Sequence, residues 1–298
     1  QRWNVDAVYG DFREMVERAS LDLVAVCTAA CLPKSHSRSP GPERRDDSHA
    51  DLTVALCEMG VPMLYVEKAM ASSMVRADEV LASVQKAGTV FNTGVLRRFD
   101  NRYAVVRDAV LAGAVGDVKS VVHYAPSSLM HGHIHSIDTA SYLIGDPSIE
   151  AVRGELLPRD EDFSGRHIAF DPHATYQLRF ANGVEAWTVP GGYWEFEVLG
   201  SEGSIRSLNN GAGVLLRKPS GKRGWQEEPF EAATPKSPVV QCLEDLVAAY
   251  ESGQPSTGNV EVTHHITEAC IGIAESHLRG GAWVDLPLAE RDLYIFHV

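Results

Sequence analysis

The sequence predicts a two-part α/β protein: a doubly wound parallel sheet, followed by an open, mostly antiparallel sheet with helices on one face. Up to residue 112, short apolar runs of strand length alternate with helical patterns, which is typical of a parallel sheet. From residue 118 onward, longer strand-like segments follow one another with turn residues and little helix between them. The expected division is therefore residues 1–117 and residues 118–298.

The first part is expected to contain three covered strands and four helices. Strands are predicted at residues 21–30, 62–67 and 89–93, which are continuous apolar runs. Helices are predicted at residues 12–19, 49–59, 71–87 and 101–112. Residues 34–47 are rich in Ser, Pro, Arg and Asp and lack periodicity, so they are expected to form an exposed loop.

The second part is expected to be mainly sheet. Strands are predicted at residues 118–124, 150–156, 174–189, 194–199, 204–208 and 214–217. Turn residues such as Asn182-Gly183 and Asn209-Asn210-Gly211 interrupt this series. Helices at residues 239–251 and 265–277 and an extended piece at residues 282–288 are expected to close the chain.

The composition is that of a globular protein. The 298 residues are 44% hydrophobic and 22% charged, with a formal net charge of −13 at pH 7. An acidic surface repels phosphate backbones and anionic headgroups, so neither a nucleic-acid partner nor a membrane partner is expected. No apolar run approaches the ~20 residues that a membrane span needs.

The cysteines indicate a reducing compartment. Cys27, Cys31, Cys57, Cys242 and Cys270 are odd in number and lie in apolar segments. This pattern predicts reduced, mostly buried thiols in a cytoplasmic protein. Cys27 and Cys31 are four residues apart, but no second pair completes a structural zinc site.

The largest concentration of groups that transfer protons lies at residues 129–147. His131, His133 and His135 alternate, Asp138 follows, and an apolar helix face runs to Gly145. Histidine titrates near neutral pH, so this stretch is the expected place for acid–base chemistry. Residues four apart share a helix face, which places His131 beside His135 if the helix begins early enough.

Several short motifs follow one another along the chain. They are Val24-Ala25-Val26-Cys27-Thr28 before a loop and His49, Glu67-Lys68 after a strand, Arg97-Arg98-Phe99, Gly113-Ala114-Val115-Gly116-Asp117-Val118, His135-Ser136-Ile137-Asp138 and Val284-Asp285-Leu286-Pro287-Leu288. In this order, the motifs resemble those of the Gfo/Idh/MocA family of sugar and polyol oxidoreductases. The resemblance covers essentially the whole chain. It implies that residues 1–117 form an N-terminally incomplete Rossmann-type dinucleotide-binding domain. It also implies that residues 118–298 form a domain for substrate binding and oligomerisation.

Three features depart from the family pattern. The family's opening strand, its glycine-rich phosphate loop and its acidic residue for the ribose have no counterpart in this sequence. The chain is therefore expected to be either part of a longer protein, which we favour, or a variant that has lost dinucleotide binding. The proline after Glu67-Lys68 is Ala69, and the aspartate four residues before the motif histidine is His131.

The resemblance assigns proton handling to Lys68 and His135. Oxidising a sugar alcohol needs a base for the hydroxyl proton while hydride leaves the same carbon, and a nearby ammonium stabilises charge on the oxygen. His131 stands where a carboxylate is expected, and Asp138 is the candidate to replace that carboxylate. The predicted catalytic set is Lys68, His135, His131 and Asp138.

The implied cofactor is NAD or NADP, and the implied substrate is a sugar, polyol or related hydroxy compound. Open α/β sheets bind ligands at the carboxyl ends of their strands, where Lys68 is expected. Cofactor contacts are expected from Thr28, His49, Glu67, Lys68 and Asn92. Substrate contacts are expected from Arg97, His133, Tyr193 and Trp194.

Two alternatives stay open. His131, His133 and His135 would share one face of an extended segment and bind a divalent metal, as in a non-redox lyase or aldolase. The absent glycine loop and Ala69 suggest instead a degenerate, non-catalytic paralogue. In either case, the open antiparallel sheet leaves a face that one layer of helices cannot cover, so a homodimer or homotetramer is expected.

Overall fold

The computed structural model of the chain describes residues 7–29, 47–159, 163, 165–221 and 224–297. The predicted loop at residues 34–47 lies outside the described residues, except for Asp47 at its end. Two main sheets organise the described part, one parallel and one mostly antiparallel. The predicted fold class is confirmed.

The first sheet has three parallel strands. They are β1 (Leu23–Val26), β2 (Met63–Val66) and β3 (Val90–Thr93), hydrogen-bonded in that order. The helices that accompany them are α1 (Phe12–Arg18), α2 (Ser48–Glu58), α3 (Met74–Ala87) and α4 (Asn101–Leu111). Every residue of β2 is buried, because helices cover both faces of this central strand.

Side-chain caps decide where these helices begin and end. The Ser73 hydroxyl accepts a hydrogen bond from the Arg76 N–H, so α3 begins at Met74 and not at residue 71 as predicted. The same helix ends at Gly88, whose φ of 68° is a left-handed conformation that glycine adopts without strain. Asp100 caps α4 by accepting from the Arg102 N–H.

The second sheet has nine strands. They are β4 (Val118–Tyr124), β5 (Ile149–Leu157), β7 (His173–Phe180), β8 (Glu185–Val189), β9 (Glu195–Gly200), β10 (Gly203–Leu208), β11 (Gly213–Pro219), β12 (Trp225–Glu228) and β13 (Val284–Asp285). Their order is β12-β11-β10-β9-β4-β8-β7-β5-β13. Two short strands, β6 (His167–Ile168) and β14 (Tyr294–Ile295), form a separate parallel pair.

Strand β4 lies between two strands that are consecutive in the chain. It runs parallel to β8 and antiparallel to β9. The connection at residues 190–194 must therefore cross the carboxyl end of β4. It passes so close to Tyr124 that a Cβ at Gly192 would lie 2.9 Å from the Tyr124 Cβ, and Gly192 has a φ of 88°.

Helices of the second part join the two sheets. They are α5 (Ile134–Leu143), α6 (Pro238–Ser252) and α7 (Val260–Leu278). The Asn259 side chain caps α7, which therefore begins five residues before the predicted start at residue 265. Helix α6 buries Cys242 and Leu246 against Met63 and Tyr65 of the first sheet. In the described residues, no helix is both long enough and apolar enough to cross a membrane.

A buried ion cluster also connects the two parts. Arg98, on the short 3-10 helix Leu96–Phe99, donates to Asp138 of α5 at 2.7 Å and to Asp146 at 2.8 Å. Only 1% of the Arg98 side chain and 2% of the Asp138 side chain are exposed. Burial of the charges is costly unless they are paired, so this cluster fixes the position of α5 relative to the first sheet.

The described cysteines are free thiols. Cys57, Cys242 and Cys270 are buried and Cys27 is exposed, whereas Cys31 lies outside the described residues. Burial raises the pKa of each of the three buried thiols, so they stay protonated at neutral pH. This agrees with the prediction of reduced, mostly buried cysteines.

Candidate active site

A wide helical turn, Leu129–His133, leads directly into α5. The Asp171 carboxylate holds this turn by accepting hydrogen bonds from the Met130 N–H at 2.8 Å and the His131 N–H at 2.7 Å. The His133 N–H donates to the Ser128 carbonyl at 2.9 Å, which widens the turn to the π type that often occurs at functional sites. The stretch is thus helical and not extended.

Lys68 follows β2 and meets this turn. Its Nζ lies 2.9 Å from Nδ1 of His131. Burial lowers the pKa of Lys68, while the charges of Glu67 and Asp171 oppose that shift. A lysine with a lowered pKa gives up its proton more readily, so Lys68 and His131 form a pair suited to proton transfer.

His135 borders the same space on the first turn of α5. Burial, followed by the charges of Arg97, Lys68 and His131, lowers its pKa to about 3. The imidazole is therefore neutral at pH 7, and one of its nitrogens accepts a hydrogen bond or a proton.

His131 and His135 line a cavity of about 390 Å³, and Lys68 is connected to it through its contact with His131. This volume is in the range of small-ligand sites. The side chains and backbone that line it come from both parts of the chain: Leu96, Arg97, Asp100, Arg102, Ser127, His131, Gly132, His135, Trp194, Asn210 and Pro238.

Arg97 and Trp194 form one wall of the cavity. The guanidinium carbon of Arg97 lies 4.5 Å from the centre of a Trp194 ring, and its Nε donates to Asn210 Oδ1 at 2.9 Å. Trp194 has a φ of 51°, which is unfavourable for a bulky residue and is maintained only by its surroundings. The structure places Arg97 and Trp194 at the cavity as predicted, whereas Tyr193 is 63% exposed and does not line it.

His133 corrects the sequence prediction of a substrate contact. It is fully buried, its Nε2 donates to the Ala174 carbonyl at 3.0 Å, and its ring packs edge-on against Tyr176. It also cannot join His131 and His135 as a metal ligand. Among the described residues, no three His, Cys, Asp or Glu side chains are placed to bind a metal ion. The structure thus gives no support to the metal-assisted alternative.

Burial of His133 makes the stability of the fold depend on pH. Burial lowers its pKa to about 4, against about 6.5 in the unfolded chain. Below pH 6.5 the unfolded state binds a proton that the folded state does not, so stability is lost as the pH falls toward 4. From pH 7 to pH 5, this group is expected to lower the free energy of unfolding by about 2 kcal/mol.

Urea unfolding at the two pH values measures this loss. His133→Gln is expected to lose about 2 kcal/mol less than the wild type over this range. His173→Gln is the matched control because His173 is exposed on β7. An equal pH dependence in the wild type and in His133→Gln would refute the expectation.

Two further predicted residues have structural partners. Asn92 is fully buried, donates to the Cys242 carbonyl at 3.1 Å and accepts from the Gly258 N–H at 3.0 Å, so it does not face a cofactor. Asp138 pairs with Arg98, so it is not the orienting partner that was predicted for His135. Both corrections arise because each polar side chain meets a partner that is distant in sequence.

The predicted cofactor residues at β1 and β2 come together. His49 Nε2 lies 2.8 Å from the Thr28 carbonyl oxygen, and His49 Nδ1 lies 2.8 Å from the Ala69 carbonyl oxygen. The buried His49 ring therefore ties the carboxyl ends of β1 and β2 together and leaves the Thr28 side chain exposed. Glu67 accepts a hydrogen bond from the Tyr65 hydroxyl at 2.6 Å.

Comparison with known proteins agrees with this architecture. Residues 124–262 match the model of the oxidoreductase family's C-terminal alpha/beta domain, GFO_IDH_MocA_C. This match agrees with the resemblance to the Gfo/Idh/MocA family that the sequence motifs indicated.

Similar proteins cover both parts of the chain. Myo-inositol 2-dehydrogenase of Thermotoga maritima is 24% identical over 276 residues, which span 86% of this chain and 77% of that protein. Scyllo-inositol 2-dehydrogenase (NAD(+)) of Bacillus subtilis is 29% identical over 181 residues, or 53% of this chain and 51% of that protein. A levoglucosan dehydrogenase in complex with NADH and levoglucosan has a TM-score of 0.71 at 19% identity, covering 94% of this chain and 84% of its own.

Sequence reasoning missed two residues of the site. Asp171 precedes Pro172 in the short link before β7, and only the fold shows that its carboxylate holds the turn bearing His131. Asn210 was recognised as a turn residue alone, yet its side chain fixes Arg97. The available signal was weak in both cases, because Asp before Pro and Asn before Gly are ordinary turn chemistry.

Gly132 keeps this cavity open. A Cβ there would lie 1.6 Å from Ser127 Oγ and 3.4 Å from Trp194 Cη2. Because the turn must shift to relieve the contact, Gly132→Ala is expected to lower kcat/KM by about 10- to 100-fold with the fold retained. Steady-state kinetics test this, with Gly213→Ala as the control because its nearest contact would be an ordinary 3.8 Å. Unchanged kinetics in Gly132→Ala would show that the turn does not shape the site.

Proposed function

We propose that the chain is an NAD(P)-dependent oxidoreductase that transfers hydride between the nicotinamide and a sugar, polyol or related hydroxy compound. The 2.9 Å contact between Lys68 Nζ and His131 Nδ1 carries the proposal. It places a lysine of the first part beside a histidine of the second part, and that histidine lines a cavity of small-ligand size. The similar inositol and levoglucosan dehydrogenases support the same class of reaction.

The residues act on the substrate hydroxyl and its proton. Lys68, in its neutral form, accepts the hydroxyl proton and passes it to His131. Neutral His135 accepts a hydrogen bond from a substrate hydroxyl and orients it. In the direction of reduction, the Lys68 ammonium donates a proton to the carbonyl oxygen. A bound nicotinamide supplies the hydride chemistry.

The carboxyl ends of the first sheet's strands fit the nicotinamide end of the cofactor. Thr28 and Lys68 follow β1 and β2, and the Thr93 hydroxyl at the end of β3 is buried without a hydrogen-bond partner in the described part of the chain. Such strand ends are where open α/β sheets bind ligands. No Gly-x-Gly-x-x-Gly turn for a pyrophosphate occurs in the 298 residues, so Thr28, Lys68 and Thr93 account for the nicotinamide end alone.

We further infer that residues 1–117 bind the cofactor and that residues 118–298 bind substrate and form a homodimer or homotetramer. Val189 and Trp225 stay exposed on the second sheet, which supports burial in a subunit contact. Light scattering of the purified protein tests this, and a monomer at micromolar concentration would contradict it. Free, mostly buried thiols support a cytoplasmic location.

Turnover assays test the proposed function. The purified protein is incubated with NAD⁺ or NADP⁺ and a panel of sugars, polyols and inositols, and formation of the reduced nicotinamide is followed by absorbance. Turnover of at least one hydroxy compound, lowered at least about 100-fold in Lys68→Met, is the expected result. Absence of nicotinamide binding by calorimetry together with absence of turnover would refute the proposal.

A further inference from the structure

We infer that the cavity takes an anionic substrate, a sugar-like compound whose carboxylate or phosphate group binds Arg97. The inference rests on the proposed function, because it takes the cavity to be the substrate site. Its starting point is a difference among three arginines, Arg97, Arg98 and Arg102, that lie within six residues at the joint between the two parts.

Two of these arginines have carboxylate partners. Arg98 donates to both Asp138 and Asp146. Arg102 forms three hydrogen bonds with the carboxylate of Asp100, at 2.9, 3.1 and 2.5 Å. Their charges are neutralised within the protein.

Arg97 differs from both. Its Nε donates to the neutral amide oxygen of Asn210, and its guanidinium lies over Trp194. Across the residues that the structure describes, no carboxylate forms an ion pair with it. The charges of Arg97 and Asp138 interact electrostatically, but the Asp138 carboxylate forms its ion pair with Arg98. A half-buried guanidinium without a counter-ion at a cavity wall is a ready partner for an acid group of a ligand.

The charges that line the cavity also support an anionic substrate. Its ionisable lining consists of Arg97, Arg102, His131 and His135 together with one carboxylate, Asp100, which Arg102 neutralises. Lys68 lies beside His131, and the carboxylates of Glu67 and Asp171 offset its charge. His135 is neutral at pH 7, so Arg97 is the fixed positive charge of the lining that no carboxylate of the described residues neutralises, in a chain with a formal net charge of −13. Clefts lined by one sign of charge concentrate ligands of the opposite sign.

The position of Arg97 also orients the ligand. The bond to Asn210 and the stacking on Trp194 fix the guanidinium plane, so little side-chain entropy is lost on binding. His131 and His135 border the same cavity. An acid group held by Arg97 therefore directs the hydroxyl-bearing part of the same molecule toward these histidines.

Binding of matched probes tests the inference. Calorimetry compares glucuronate, gluconate and glucose 6-phosphate with the neutral compounds glucose and sorbitol. At least one of the three anions is expected to bind about 10- to 100-fold more tightly than its neutral counterpart, because charged hydrogen bonds contribute about 1.5–3 kcal/mol. The carboxylate and phosphate probes distinguish the two kinds of acid group. If neutral compounds bind as tightly as the anions, or if none of the anions binds, the inference is overturned.

Variants of Arg97 test whether this residue causes the preference for anions. Arg97→Gln is expected to remove the preference for the anion, while Arg97→Lys retains part of it. Arg153→Gln is the matched control because Arg153 also bonds an amide, that of Gln177, and lies over a tryptophan, Trp283, but does so outside the cavity. A preference that survives in both Arg97 variants would overturn the inference. Unfolding midpoints show that the variants are folded, and Arg97→Lys keeps the test valid if Arg97→Gln does not fold.

Failure of this inference differs from failure of the proposed function. Reduction of NAD⁺ or NADP⁺ with neutral compounds alone, unaffected by Arg97→Gln, would leave the oxidoreductase proposal standing and remove the anionic substrate. Anion binding that depends on Arg97, without any nicotinamide reduction, would support an anionic ligand and contradict the oxidoreductase proposal.

Discussion

Replacing Lys68 by methionine is expected to lower kcat/KM by about 10²- to 10⁴-fold, the usual contribution of a general acid or base. Methionine keeps the length and much of the apolar stem but cannot hold a proton. The loss of the amino group also leaves His131 Nδ1 without the partner that lies 2.9 Å away. Steady-state kinetics with the substrate identified by the turnover panel measure the effect.

Lys119→Met provides the control for this variant. Lys119 is an exposed lysine on β4 whose contact with Asp117, at 3.6 Å, lies on the surface. Its replacement is expected to leave kcat/KM within about twofold, because exposed ion pairs contribute little. A Lys68→Met enzyme with turnover close to wild type would show that the proton passes through another group.

Replacing Arg98 by methionine is expected to lower the free energy of unfolding by about 3–5 kcal/mol. The variant leaves the Asp138 carboxylate, which is 1% exposed, without its cation and without two of its hydrogen bonds. A buried charge that has lost its partner pays the full cost of leaving water. Urea denaturation measures the loss.

Two further variants separate charge from packing. Arg18→Met removes an exposed ion pair with Glu14 on α1 and is expected to change stability by less than about 1 kcal/mol. Adding Asp138→Leu to Arg98→Met is expected to restore part of the lost stability, because an apolar pair needs no counter-ion. If the double variant is less stable than Arg98→Met alone, the ion cluster acts through packing and not through charge.

Much of the fold could be predicted because short stretches of sequence determine its strands and turns. The strand β2 is a run of apolar residues, and the turns at Gly88 and Gly183 are glycines in left-handed conformations. Helix ends were less accurate where a single cap decides them, as Ser73 and Asn259 do. A capping side chain competes with several equally polar neighbours in sequence, so only the folded geometry selects it.

The site was predictable in part. The resemblance, or the chemistry of the side chains, indicated four residues that lie at or beside one cavity. They are Lys68, His135, Arg97 and Trp194. The roles of Asp138 and His133 were not predictable, since their partners Arg98 and Ala174 are 40 and 41 residues away in the chain. Long-range pairing of buried polar groups is fixed by packing, and no local pattern in the sequence records it.

The insertion of β4 between β8 and β9 has a consequence for how this site can evolve or be redesigned. Residues 190–194 bridge two strand spacings, roughly 10 Å, while clearing the end of β4. Five residues could span about 17 Å when fully extended, and the remaining length is used to pass around Tyr124, so a deletion would press the connection against the end of β4. The position of Trp194, at the end of this connection, therefore depends on the order of the strands as much as on the contacts of its side chain. Changes of substrate preference are more accessible by exchanging the side chain at position 194 than by altering the length of this loop.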